Sequence, residues 1–104
     1  MPLMSISKFK YQTPAEGQDI PRFVFPRQSE LDQLRQEYID TGKLLAFDAF
    51  FNDETLTVTF TNVFRSQADH EAFKSEPIVS QFYNERNIFL EPYGVEKSIE
   101  SREV

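Results

Sequence analysis

The chain has 104 residues, a formal net charge of −6 and no cysteine, and 14% of its residues are aromatic. This length is typical of one domain, so we expect a single domain over residues 1–104. The lack of cysteine excludes disulfides, thiolate metal sites and a cysteine nucleophile. Because His70 is the only histidine, a histidine-rich metal site is excluded too, and we expect neither a metal nor another cofactor.

Charge and hydropathy limit the partners further. Lys and Arg form no cluster along the acidic chain, so neither nucleic acid nor an anionic membrane surface is an expected partner. The sequence contains no secretory signal and no apolar run of 18 residues. We therefore expect a cytoplasmic protein.

Residues 3–11 combine β-branched, aromatic and polar side chains and predict the first strand. The following segment, residues 12–28, is rich in proline and cannot form a continuous helix or a central strand. Its helix-breaking residues are Pro14, Gly17, Pro21 and Pro26. Such a long connection is either a surface loop, whose residues 23–25 cover one end of the core, or a lid or binding arm.

A helix is predicted after this proline-rich loop. Ser29 followed by Asp32 resembles a capping box, and Leu31 and Tyr38 mark an apolar stripe at helical spacing. Gly42 is the expected C-terminal glycine of this helix.

Residues 44–64 predict a β-hairpin, because two strand-forming runs meet at the turn-forming residues 52–54. A two-residue loop at Asp53 and Glu54 would give one wholly apolar face. The register would then pair Phe51 with Leu56, Ala49 with Val58, Phe47 with Phe60, and Leu45 with Asn62.

Two short helical segments and a last strand follow. Ser66 with Asp69 repeats the capping signature, and Pro77 suits the first turn of a second segment that extends to about residue 89. Residues 95–99 predict a weak strand, and residues 100–104 a frayed tail. The order is that of an α+β, ferredoxin-like β-α-β-β-α-β sandwich, with a four-stranded antiparallel sheet and its helices on one face.

Residues 59–79 resemble the strand-to-helix junction of the dimeric α/β-barrel superfamily, which includes antibiotic-biosynthesis-monooxygenase-like domains. Phe64, Ser66, Phe73 and Pro77 fill the positions of the aromatic strand end, the cap, the helix aromatic and the second-segment proline. The resemblance implies a homodimer, and often a small aromatic ligand held between sheet and helices. It implies no particular reaction, because the superfamily includes cofactor-free monooxygenases, haem-degrading enzymes, isomerases and proteins without known activity.

Arg86 is the most informative candidate for a site. It projects into the middle of the apolar face of residues 78–90, close to Tyr83, and Asn62 is the polar group on the facing sheet. These three side chains could line a ligand cavity, with Arg65 or His70 at its rim. Alternatively, Arg86 pairs with a buried carboxylate or extends outward to solvent.

His70 is the obvious candidate for acid-base chemistry because of its ordinary pKa. Helical spacing argues against this role. If Ala68, Ala72 and Phe73 define the buried side of the helix, His70 faces solvent, and we expect it to be a surface residue.

Two functions remain open. The first is a small dimeric α/β-barrel protein that binds or oxidises a small aromatic molecule without a metal. The second is a non-catalytic dimeric module that contacts a protein partner through the proline-rich loop. A deep cavity with converging polar groups would favour the first, and exposed aromatics at residues 23–25 the second.

Overall fold

The computed structural model describes all 104 residues. Four strands and three helices follow one another in the predicted order. The elements are β1 (Leu3–Lys10), α1 (Gln28–Asp40), β2 (Leu44–Asn52), β3 (Thr57–Phe64), α2 (Gln67–Ser75), α3 (Pro77–Leu90) and β4 (Glu96–Glu103), with a 3₁₀ turn at Glu91–Tyr93 before β4.

The four strands form one antiparallel sheet in the order β2-β3-β1-β4. This arrangement confirms the predicted α+β, ferredoxin-like class. Along β1, the side chains of Leu3, Ser5 and Phe9 are buried on the helix-covered face, whereas Lys8 and Lys10 are exposed. The two-residue period of this pattern explains why one face of the sheet carries the helices.

The ends of α1 differ in how well the sequence predicts them. At its C-terminus, Gly42 has a φ of +74°, and the N–H groups of Gly42 and Lys43 donate to the carbonyls of Ile39 and Tyr38. This is a Schellman motif, and it ends the helix as the glycine predicts. The N-terminus is different, because α1 begins at Gln28 and no side chain caps it.

The expected cap by Ser29 is therefore wrong. Asp32, the residue that would complete the capping box, instead accepts hydrogen bonds from the side chains of Gln28 and Arg35. A capping box needs the third helical residue to reach back to the cap, and here that carboxylate is occupied within the helix.

The predicted hairpin exists, but its register is wrong by two residues. Phe51 pairs with Val58 and Phe47 with Asn62, and the connection spans residues 53–56. The Asn52 Oδ1 atom accepts backbone hydrogen bonds from Glu54 and Thr55, which draws more residues into the turn than a two-residue loop contains. A shift of two preserves the side-chain alternation, so the apolar face stays separate from the face that carries Thr57, Thr59 and Thr61.

The capping of α2 follows the prediction. The Ser66 hydroxyl accepts a hydrogen bond from the Asp69 N–H at 3.2 Å and donates to the Asp69 carboxylate at 2.9 Å. The predicted buried side of this helix is wrong, however. Ala68 and Ala72 are exposed, whereas Asp69, His70 and Phe73 are buried.

His70 is therefore not a surface residue, since only 8% of it is exposed. Its ring lies against Phe64, with a distance of 4.8 Å between ring centroids. The two alanines of α2 are too small to decide which side of a short helix packs inward, and the larger rings of His70 and Phe73 occupy that side.

The C-terminal tail is ordered as well. β4 continues to Glu103, which pairs with Leu3, and the Val104 N–H donates to the Pro2 carbonyl at 3.0 Å. The predicted fraying of residues 100–104 is therefore wrong. The side chains of β4 are all exposed, so the side-chain pattern indicates only a weak strand at residues 95–99, whereas the backbone pairs with β1 as far as Glu103.

The main core lies between the sheet and the helices. Its buried members are Phe25, Leu31, Tyr38, Leu44, Phe64, Phe73 and Val79. Three partly buried aromatic residues pack against this core near α3, namely Phe23, Phe82 and Tyr83.

Candidate functional site

A cavity of about 450 Å³ lies between the helix-covered face of the sheet, the later part of the proline-rich loop, α1 and α3. We call it the aromatic cavity, since phenylalanines from three strands, one helix and the loop form its walls. Its aromatic wall residues are Phe9, Tyr11, Phe23, Phe47, Phe60 and Phe82. The volume lies within the range typical of sites for small molecules.

Arg86 reaches into this cavity from α3 and is surrounded by rings. Its Cζ atom lies 4.3 Å from the ring centroid of Phe9, 5.0 Å from that of Phe82 and 5.1 Å from that of Tyr83. Phe60 is slightly farther away, at 5.8 Å. All four distances are within the limit for cation–π attraction.

No carboxylate pairs with Arg86. Its guanidinium takes part in none of the ion pairs of the chain, and its Nε atom is buried without a hydrogen-bond partner. Burial lowers the pKa of Arg86, and the nearby Tyr83 and Tyr11 hydroxyls oppose this shift. The aromatic rings compensate only part of the cost of removing a charge from water.

The inner end of the site is a recess of about 50 Å³ next to the aromatic cavity. It brings together Asn62, Tyr83 and Arg86, the three residues that the sequence analysis placed in one site. Asn62 reaches this position from β3, where it pairs with Phe47 rather than with the predicted Leu45. Burial raises the pKa of Tyr83, and the charges of Arg86 and Arg35 oppose that shift.

A second guanidinium lines both the cavity and the recess. Arg35 lies on α1, with its Cζ atom 4.1 Å from the ring centroid of Phe47. Unlike Arg86, it has an acidic partner, because its Nη1 atom donates to the Asp32 carboxylate at 3.1 Å. Its Nε atom, like that of Arg86, is buried without a hydrogen-bond partner, but the contact with Asp32 gives its charge a counter-ion.

The other two rim candidates lie elsewhere. Arg65 donates two hydrogen bonds to Asp69, at 2.8 and 3.0 Å, and lines neither the cavity nor the recess. His70 packs behind Phe64 and lines neither. Both residues belong to the capped start of α2, so the structure does not place them at the rim of this site.

Sequence reasoning missed Tyr11, Arg22 and Arg35 as lining residues. Tyr11 follows β1 directly, and burial raises its pKa while Arg86 opposes the shift. Arg35 lies one residue after Leu34 on the inner side of α1, where the apolar stripe could have indicated an inward position. No local pattern could have located Arg22, which lies in the loop.

The proline-rich loop forms a second, more open cavity of about 770 Å³ over the end of the sheet. We call it the loop cavity. Pro14, Ile20, Pro21 and Phe51 supply apolar surface, and Gln18, Asp19 and Arg22 supply polar groups. Tyr11, Arg22 and Val58 line both this cavity and the aromatic cavity, so the two are adjacent.

The loop itself is fastened to α3 by aromatic packing. The ring of Phe23 lies 5.8 Å from that of Phe82 and 5.6 Å from that of Phe89. Phe25 is buried against Phe82, and Val24 alone of residues 23–25 is exposed. The loop therefore closes one end of the core, as the first of its two interpretations predicts.

No helix is both long and apolar enough to span a membrane. No group of three or more His, Cys, Asp or Glu side chains is arranged to hold a metal ion.

No protein-family model matches the sequence, and no curated protein is significantly similar to it. Solved structures do match. Rv0793 from Mycobacterium tuberculosis has a TM-score of 0.62 at 12% identity, over 100% of this chain and 95% of that one. A proposed antibiotic biosynthesis monooxygenase from Deinococcus radiodurans has a TM-score of 0.56 at 12% identity, covering 98% and 91%.

A third match is a dimeric protein of unknown function with a ferredoxin-like fold from Bacteroides fragilis. Its TM-score is 0.56 at 14% identity, over 99% of this chain and 96% of that one. These matches cover whole chains and confirm the predicted resemblance to antibiotic-biosynthesis-monooxygenase-like proteins at the level of the fold. At such identities, function must be argued from the site.

Proposed function

We propose that this protein binds a small aromatic anion, a carboxylate or a phenolate, in the aromatic cavity, with Arg86 as its charged anchor. The single observation that carries the proposal is the unpaired guanidinium of Arg86 inside a ring of aromatic side chains. A buried charge without a partner destabilises the free protein. An anionic ligand would supply the missing partner.

The walls of the cavity favour an aromatic ligand over an aliphatic one. Ring faces and edges attract each other in offset or perpendicular arrangements, and they contribute beyond the apolar area that they bury. Phe9 and Phe60 already meet edge to face, with centroids 6.0 Å apart. Asn62 and Tyr83 add one amide and one hydroxyl that could orient the polar groups of such a ligand.

The same features weigh against the alternative, a protein-interaction module that uses the proline-rich loop. That function would need the loop aromatics to be accessible, and Phe23 and Phe25 instead pack against α3. Val24 is the exposed residue of the three, and one valine offers little contact area.

The test is a calorimetric titration with 2-naphthoate and with its neutral counterpart, 2-naphthamide. We expect the wild-type protein to prefer the anion. We expect Arg86→Met to lose that preference, and Lys74→Met, which removes an exposed positive charge on α2, to keep it. Equal binding of the acid and the amide by the wild type, or unchanged binding of the acid by Arg86→Met, would refute the proposed anchor.

We also propose a homodimer formed through the helix-free face of the sheet. Phe50 is 58% exposed on this face, where Met4 pairs with Val63 and Ile6 with Thr61. This face is more apolar than a water-facing sheet requires. The dimeric Bacteroides fragilis protein has the same fold. Analytical ultracentrifugation at micromolar concentration should give twice the chain mass, and a single species at the chain mass would exclude this dimer.

Oxidation of the bound anion is a second candidate function. It is favoured by the fold shared with proposed monooxygenases and by a guanidinium that would stabilise an electron-rich enolate. An anthrone such as dithranol is a suitable probe, because its CH₂ group ionises to an aromatic enolate. Oxygen would convert that CH₂ to a carbonyl, with one oxygen atom retained and the other released as water. Oxygen uptake no faster than the protein-free rate would exclude this activity.

A further inference from the structure

The charges around the aromatic cavity do not balance. Three guanidiniums line it, those of Arg22, Arg35 and Arg86, together with the single carboxylate of Asp32. Asp32 pairs with Arg35, and neither Arg22 nor Arg86 takes part in an ion pair. The wall thus carries two uncompensated positive charges in a chain whose net charge is −6.

The two unpaired arginines reach the cavity from different directions. Arg86 projects from α3 into the aromatic ring cage, next to Phe9. Arg22 belongs to the proline-rich loop and lines both cavities, at the side of the aromatic cavity that faces the loop. We call this side the opening of the aromatic cavity. Asp19 lines the loop cavity too, but it forms no ion pair with Arg22.

Arg22 is held near this opening by its neighbour in the chain. Phe23 packs on Phe25, Phe82 and Phe89, which fastens the backbone directly after Arg22 to α3. The side chain of Arg22 is exposed, but it extends from a part of the loop whose backbone is anchored. This position suits a residue that contacts the outer end of a bound molecule.

We infer that Arg22 is a specificity-determining residue, and that the site prefers aromatic ligands with two acidic groups at opposite ends to ligands with only one. This inference rests on the proposed binding function and adds to it the ligand class. One acidic group would meet Arg86 inside the cavity, and the other would meet Arg22 at the opening. Two negative charges would balance the two unpaired positive ones.

The experiment compares two probes with the same ring system, 2-naphthoate and 2,6-naphthalenedicarboxylate. The wild-type protein should bind the dicarboxylate about tenfold more tightly, since a charged hydrogen bond of this kind contributes roughly that much. Arg22→Gln should lower the affinity for the dicarboxylate alone, so that the two probes bind about equally well. Lys74→Gln, which removes an exposed positive charge on α2 away from both cavities, is the control and should leave the ratio unchanged.

Other outcomes separate this inference from the proposed function. If both probes bind with equal affinity, or if Arg22→Gln leaves their ratio unchanged, the role of Arg22 is wrong while the anchor at Arg86 stands. If neither probe binds to the wild type, the binding function itself fails, and the inference fails with it. A higher salt concentration should lower the affinity for the dicarboxylate more than the affinity for the monocarboxylate. An equal decrease for both probes would also count against two charged contacts.

Discussion

Two arginines at opposite ends of the helix layer have opposite surroundings. Arg65 follows β3, is largely exposed, and makes two hydrogen bonds to Asp69. Arg86 is largely enclosed by aromatic rings and has no acidic partner. The charge of Arg65, which could interact freely with water, is paired, whereas the charge of Arg86, which is largely removed from water, is not.

This contrast distinguishes a structural arginine from a binding arginine. At the start of α2, the Arg65 guanidinium and the Ser66 hydroxyl lower the pKa of Asp69, and the three groups satisfy one another. In the aromatic cavity, nothing in the chain satisfies Arg86. Polar groups that are buried without partners are uncommon in folded proteins and are often found where a ligand binds.

The largest expected loss of stability is next to the ion pair of Arg65 and Asp69. Phe64 is almost fully buried and contacts both His70 and Phe73. Phe64→Ala should lower the free energy of unfolding by about 3 to 5 kcal/mol, because it leaves a cavity in the core. Urea denaturation would measure this change. A loss below about 1 kcal/mol would mean that Phe64 is not buried against His70 and Phe73 as described.

A smaller loss is expected for His70. The sequence predicts a surface residue whose replacement would be harmless, but the burial of the ring against Phe64 changes that expectation. His70→Ala should destabilise the protein by about 1 to 3 kcal/mol. Binding of 2-naphthoate by the folded variant should be unchanged, since His70 does not line the cavity. A change in affinity without a change in stability would place His70 at the site after all.

His70 should also make the stability depend on pH. Burial lowers its pKa, and Lys74 adds to this effect while Glu71 opposes it. As the pH falls through about 6.5, the unfolded chain binds a proton before the folded protein does, so stability decreases. This loss ends once the folded His70 is protonated too.

Urea titrations between pH 7 and 5 would detect this slope, and His70→Gln should remove it. The pKa of Asp69 is lowered, so its contribution is lost only at more acidic pH and should remain in the variant. An unchanged slope in His70→Gln would assign the effect to another group.

The smallest expected effect is at Tyr83. Its hydroxyl makes no hydrogen bond within the chain and lies beside Arg86 and Asn62 in the recess. Tyr83→Phe should leave stability within about 0.5 kcal/mol of wild type. The variant should bind 2-naphthoate about three- to tenfold more weakly if the hydroxyl donates a hydrogen bond to the bound anion. Unchanged affinity would restrict polar recognition to Arg86.

The element order and fold class could be read from the sequence, because the cap at Ser66, the glycine at Gly42 and the strand alternation are local signals. The hairpin register could not, since the side chain of Asn52 enlarged the turn. The extension of the last strand to Glu103 could not be read either, because backbone pairing with β1 stabilises it while its side chains remain exposed.

The site was predictable only in part. A cation on an apolar helix face identified Arg86, and alternation along β3 identified Asn62. Whether Arg86 has a carboxylate partner depends on packing between distant elements, which no local pattern contains. The same limit applies to Arg22, whose position depends on how the loop folds onto α3, and to His70, whose burial depends on its contact with Phe64.

The central claim is that Arg86 serves a ligand and Arg65 serves the fold. The most direct test compares Arg86→Met with Arg65→Met for both melting temperature and affinity for 2-naphthoate. We predict that Arg86→Met keeps or raises the melting temperature and weakens binding at least about tenfold, the value of one charged contact. Arg65→Met should lower the melting temperature and leave the affinity unchanged. A large fall in the melting temperature of Arg86→Met, with no binding by the wild type, would contradict the account.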